Sequence, residues 1–183
     1  AVAGTFTLGV AAKTVADEST SATADANGTV KMYSDFAASV VANGKIVASL
    51  NDAIQPNITV NAAGEIVEKS FKATKRELKE GYGMAGKVDN DGNGVMKEWY
   101  EQTKAFEAYV VGKTGAEVAA MTTQTVNNHE ITTDKALLDA GCSMQIVEFR
   151  DAVIKACNDT QGMTFNAVAG TFTLGVAAKT VAD

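Results

Sequence analysis

The sequence is poor in several residues that usually betray a protein's chemistry. It holds one proline, one tryptophan, one histidine and two cysteines in 183 residues. The lone histidine, His129, sits in the polar stretch NNHE and has no second imidazole to share a metal with. No Ser/His/Asp arrangement surrounds it, so it reads as an exposed loop residue. Basic residues are outnumbered, 16 Lys and Arg against 22 Asp and Glu, for a net charge of −6. That balance argues against nucleic acid or an anionic membrane as partner, because phosphate binding needs clustered cations. No apolar run approaches the roughly 20 residues of a membrane span. Initiator Met, signal peptide and lipobox are all missing, so a start after processing, or inside a larger chain, is expected. Cys142 and Cys157 are too far apart along an expected helix at 145–157 for a disulfide, about 20 Å at 1.5 Å per residue. Two free, mostly buried thiols are expected.

What the sequence does have is a duplication. AVAGTFTLGVAAKTVAD occupies residues 1–17 and returns unchanged at 167–183. Composition cannot produce such a match, so the segment is a repeated unit. The chain is either one period of a tandem array, or a unit with an engineered tail, or a unit whose second copy serves a neighbour. The intervening arrangement divides into one α+β unit over 1–166 and a duplicate first strand over 167–183. The unique part is long enough for one domain with a real core.

The repeated segment alternates. Phe6, Leu8, Val10 and Ala12 fall on one side, Thr5, Thr7, Gly9 and Ala11 on the other, which predicts a strand half-buried on a core. A polar loop, DESTSATADANG, follows at 17–28. A longer strand is expected where Val30, Met32, Ser34, Phe36, Ala38 and Val40 alternate with Lys31, Tyr33, Asp35 and Ser39 on a wet face. Asn43-Gly44 between apolar alternations predicts a tight hairpin, since both residues tolerate positive φ. A further short pair is expected at Ile58–Val60 and Glu65–Val67, turning at NAAG. Together these make an antiparallel meander.

Helical signals take over after residue 73. Thr74 and Glu77 form a capping box, as do Thr114 and Glu117. A long helix is expected over about Met96–Val111, with Met96, Trp99, Phe106 and Val110 on one face and Gly112 as its stop. TTQTVNNHEITTD reads as a loop, and Lys135–Ala140 as one helical turn. Ser143 is expected to cap a last helix carrying Ile146, Phe149 or Arg150, Val153 and Cys157. Strands first and helices after predict an α+β fold, an N-terminal antiparallel β-meander with C-terminal helices packed on one face.

Two motifs invite chemistry. Asp89, Asp91 and Asn93 in DNDGNG match the opening oxygens of a calcium loop, with Gly94 at its sixth position. Tyr100 stands where the closing Glu belongs, so Glu98 or Glu101 would have to substitute in a rearranged loop. The competing reading is a polar turn. GYGMAG at 81–86 lacks the strand-then-helix setting of a phosphate loop and reads as a linker. The Glu and Lys residues on the polar side of the long helix support it by i,i+4 pairing.

YGMAGKVDNDGNGVMKEWYEQTKAFEAYVVGKTGAEV resembles a segment of secreted proteins and lipoproteins of anaerobic Gram-positive bacteria, similar in layout to FMN-binding domains of extracellular electron-transfer chains. NGKIVASL at 43–50 fits their hairpin, and LLDAGCSMQIVEFRDAVIKAC at 137–157 their last part. The resemblance implies an extracellular repeat unit opening on a strand like GTFTLGVAAKT. It departs at the flavin, whose phosphoester would hang on a Thr or Ser where this chain has Gln145; Ser143 is the nearest hydroxyl. The fold is implied more than the cofactor.

The expectations follow from the surplus strand. A lone strand must pair with a sheet, and two copies compete for one place, which is the condition for strand donation and open polymers. The function expected is a non-enzymatic, cell-surface structural module that joins copies of itself through Phe6, Leu8 and Val10 and their duplicates Phe172, Leu174 and Val176. A flavin-binding electron carrier and a calcium-dependent binding module are the alternatives.

Overall fold

Asn43 and Gly44 have φ of 52° and 74°, the positive values that a two-residue hairpin turn with right-handed strand twist requires. The hairpin joins β3 (Tyr33–Ala42) to β4 (Lys45–Ile54). In this computed structural model, which describes residues 3–71, 73–92, 94–159, 161–168, 170–179 and 181, that pair is extended by β1 (Ala3–Val15) and β9 (Met163–Val168). The sheet order is β4-β3-β1-β9, antiparallel throughout. The first copy of the duplicated segment therefore lies between two strands, β3 pairing with Thr7–Val15 and β9 with Ala3–Leu8.

The long strand expected over 30–40 is broken at Met32. Its first part, β2 (Gly28–Lys31), leaves for a second sheet, of order β2-β5-β6 with β5 (Asn57–Val60) and β6 (Ile66–Ser70). The break coincides with the lone proline, for Met32 donates its N–H to the Pro56 carbonyl at 3.1 Å. Proline has no N–H to return and cannot continue a ladder. Both strands change sheet at that level.

The helices are α1 (Lys75–Leu78), continued by a 3₁₀ turn over Lys79–Tyr82, α2 (Trp99–Val110), α3 (Gly115–Ala119), α4 (Lys135–Asp139) and α5 (Val147–Cys157). Both expected capping boxes form, on Thr74 with Glu77 and on Thr114 with Glu117. α2 starts three residues later than its apolar pattern suggests. Met96 is held in an extended hairpin by its N–H to the Lys87 carbonyl at 2.9 Å, and Glu98 caps the helix instead. The GYGMAG stretch is no linker: Tyr82 and Met84 pack against the core. That core holds Trp99, Phe106, Val110, Leu137, Ile146, Phe149 and Val153, with Phe106 and Phe149 edge to face at 4.8 Å. Cys142 and Cys157 are both free.

The stretch around His129 is also not a loop. β7 (Thr123–Val126) and β8 (His129–Thr132) form a hairpin, turning on Asn127 and Asn128 with φ of 51° and 65°. Two consecutive asparagines can stand in for Asn-Gly because their side chains ease the left-handed conformation. Asn128→Gly is expected to hold or raise stability. Asn128→Val should lower it by about 1–2 kcal/mol, read from urea denaturation of the two variants beside the parent.

Candidate assembly interface

The two faces of the main sheet are reversed from the expectation. Gly9, Ala11 and Lys13, with Asp35, Ala37 and Ser39 of β3 opposite them, lie under α5. Phe6, Leu8 and Val10 point to the other side. Polarity is a poor guide here because most of the helix-side polar groups are partnered in place, Asp35 excepted. Ser39 and Ser49 hydroxyls meet at 3.2 Å, and Asn51 donates to the Phe149 carbonyl at 3.4 Å.

α5 comes very close to β1. A Cβ on Gly9 would fall 1.9 Å from the Ala156 carbonyl oxygen, a separation no side chain tolerates. Glycine thus sets how deeply the helix seats. Two lysines fasten the contact from either partner. Lys13 pairs with Asp151 at 2.6 Å, and Lys155 donates to the Ala12 carbonyl at 2.7 Å.

On the opposite face Phe6 is only 3% exposed, while Val10 remains 56% exposed. Phe6 is covered by two rings, Phe165 of β9 and Phe172 of the second copy, each centred 5.7 Å away. The second copy runs on from β9 as an extended segment outside any ladder. Among its described residues only Ala167 and Val168 are strand residues, paired with Gly4 and Ala3. The chain then reverses, with Thr171 donating to the Val168 carbonyl at 3.0 Å and Gly170 at φ 88°. Beyond it Phe172, Leu174, Val176 and Ala178 are half-buried and the residues between them exposed. The strand periodicity survives without the strand's hydrogen bonds. A Cβ on Gly175, the counterpart of Gly9, would meet nothing within 4 Å.

The sheet's two outer edges differ. At β4, Ile46 exchanges hydrogen bonds with Lys113 and Gly112, both at 2.8 Å. Further along, Glu107 accepts from the Asn51 N–H at 2.6 Å and Arg76 donates to the Asn51 carbonyl at 3.1 Å, the two side chains being paired at 2.7 Å. Loops and side chains seal that edge, as exposed edges usually require. The outer edge of β9 carries no such cover among the described residues.

Among the remaining expected site residues, Ser143, Glu98 and Glu101 make contacts within the fold. Ser143 does not cap α5, whose N-cap residue is Ile146. It is buried, donates its hydroxyl to Asp89, and is held through its N–H by the Gln102 side chain at 3.0 Å. Gln145 donates to Glu148 at 2.9 Å. Glu98 accepts from the Met84 and Ala85 N–H groups at 3.1 and 3.0 Å, and Glu101 from the Glu98 N–H at 3.0 Å. The Glu98 carboxylate thus anchors the 84–85 backbone, and that of Glu101 caps the start of α2. The 87–96 hairpin carries Asp89 and Asp91; Asn93 lies outside the described residues. Among the described residues no group of His, Cys, Asp and Glu is arranged to hold a metal. Nor is any helix there long and apolar enough to cross a membrane.

A buried charged cluster escaped the sequence reading. Lys75, 3% exposed, donates to the Tyr33 hydroxyl at 2.6 Å, and its ammonium lies 4.2, 4.6 and 5.4 Å from the ring centres of Tyr33, Tyr82 and Trp99. Asp35 is fully buried on β3, and neither carboxylate oxygen has a hydrogen-bond partner among the described residues. Burial pushes the Asp35 carboxyl up to about 8, against the pull of Lys75, and pushes the Lys75 ammonium down to about 7. The signal in sequence was an acid at a strand position within an apolar run, which alternation had assigned to water.

Comparison of the chain with protein-family models, with curated proteins and with solved structures finds no match.

The cluster sets a pH dependence. Between 3.8 and about 8 the folded protein holds a proton on Asp35 that the unfolded chain has released. That contribution to stability is complete at low pH and fades as pH rises through this window. Relative to Asp35→Asn, the parent should therefore lose stability from pH 4 to 8, seen in denaturation midpoints; parallel profiles would count against it. Lys75→Met alone should cost about 1–2 kcal/mol, from the lost Tyr33 hydrogen bond and ring contacts, and the double variant less than the sum of the two singles, as a double-mutant cycle measures.

Proposed function

We propose that this chain is a structural repeat module of an extracellular, cell-surface fibre or array, in which the duplicated strand joins one unit to the next. The observation that carries this reading is the contrast between Gly9 and Gly175. The glycine is needed in the first copy, where a helix carbonyl lies on it, and is without a neighbour in the second. The second copy holds the sequence of a central strand, but its described residues beyond Val168 lie outside any ladder. Its apolar alternation, its glycine and its lysine suit a place between two strands and beneath a helix like α5.

The connection is short. β9 already uses the first two letters of the repeat, so a following unit's first strand would begin directly where β9 ends. Successive units would be joined with no linker, which favours a stiff array over beads on a string. The uncovered edge of β9 lies at that junction. The resemblance to surface proteins of Gram-positive bacteria supports the extracellular setting.

Removing everything after Val168 keeps β9 whole. The shortened protein is expected to melt cooperatively, as the parent does, and to sediment as one unit, whereas the full chain forms larger species at high concentration. A sedimentation profile that the truncation leaves unchanged would overturn the reading.

A further inference from the structure

We infer that the channel bounded by β3, β9 and α5 is a binding site for the sequence GTFTLGVAAKT from either end of the chain, so that the C-terminal copy can replace the N-terminal one within the same molecule. The inference uses the same duplicated strand as the assembly reading but does not need units to associate.

Three observations lead to it. First, the two copies are identical over 1–17 and 167–183, and β1 spans Ala3–Val15. Every residue that β1 presents to the channel is present again at 169–181. In the channel the second copy would bring Gly175 to the Ala156 carbonyl and Lys179 to Asp151, where Gly9 and Lys13 lie now.

Second, direction and register fit. β9 runs antiparallel to β1, with Phe6 opposite Phe165 and Thr5 opposite Asn166. A segment following β9 that turns back on itself runs in β1's direction. In β1's register Phe172 comes opposite Phe165 and Thr171 opposite Asn166. Residues 167–170 then form a four-residue connection, a common hairpin length. The exchange gives up only the pairs Ala3↔Val168 and Gly4↔Ala167.

Third, the second copy is already placed beside the site. The chain reverses at Val168–Thr171, and Phe172 contacts both rings that would flank the exchange, Phe6 at 5.7 Å and Phe165 at 5.8 Å. Displacement of one copy by the other can proceed from this shared aromatic contact, strand position by strand position. Whichever copy is in the channel, its twin is left free, so a unit can present its spare strand from either terminus.

The test is made in the full chain at a concentration where it is a single unit by mass. Valine at position 9 or 175 places a branched side chain where even a Cβ meets the helix. Gly175→Val is expected to behave as the parent. Gly9→Val should still melt cooperatively, within about 5 °C of Gly175→Val, because the second copy takes the channel. Its hydrogen-exchange protection should move from residues 4–13 to residues 170–179. The Gly9→Val/Gly175→Val double variant should lose the cooperative transition. The inference is overturned if Gly9→Val unfolds like the double variant, or if protection stays on the N-terminal copy. All of these readouts come from single units. An unchanged sedimentation profile after truncation would remove the assembly reading while leaving this one standing.

Discussion

The seating of α5 on Gly9 is the contact from which the rest of the fold is arranged. Because β1 has no side chain there, the helix backbone comes down to the strand and its apolar face reaches Ala37, Ala53 and the core beyond. Interiors packed as densely as crystals leave no room for a compromise at such a point. The lysines on either side fix the helix along the strand, one from β1 to Asp151 and one from α5 to Ala12. With the helix in place, α2 closes over β4 and brings the Arg76–Glu107 pair to the strand's outward backbone groups. One edge of the sheet is thereby sealed and the other is left to β9.

Duplication gives this arrangement an unusual energetic balance. Two identical strands gain the same contacts in the same channel, so only the connections tell them apart. The first copy is tied to β2 through residues 16–27, the second to β9 through a connection about a third as long. Loop closure alone favours the shorter tie by about 1 kcal/mol. The two strand pairs that it gives up offset an amount of similar size. A difference this small against a shared gain is what allows one strand to be held and the other to be spare.

The charged cluster around Lys75 adjoins this channel through Asp35, which lies opposite Lys13 of β1. It lies where α1, α2 and β3 meet, with three aromatic rings supplying the attraction that water would otherwise give an ammonium. Such a buried pair is weak support for stability as such. It does fix the position of α1, whose four residues could not hold a helix by themselves.

Much of the architecture could be read from local chemistry. The Asn-Gly turn, the two Thr/Glu capping boxes, the apolar face of α2, the free thiols and the α+β order all follow from residues a few positions apart. The Asn127-Asn128 turn is legible in the same way, because asparagine eases the left-handed conformation that both residues adopt. The duplication and the strand pattern of its first copy can be read from the letters alone. That this strand lies between two others, which of its faces meets a helix, and that Asp35 and Lys75 are buried follow from packing. Alternation tells which residues share a face. Which face is covered depends on helices more than a hundred residues away, and a polar side chain with a partner is as content under a helix as in water.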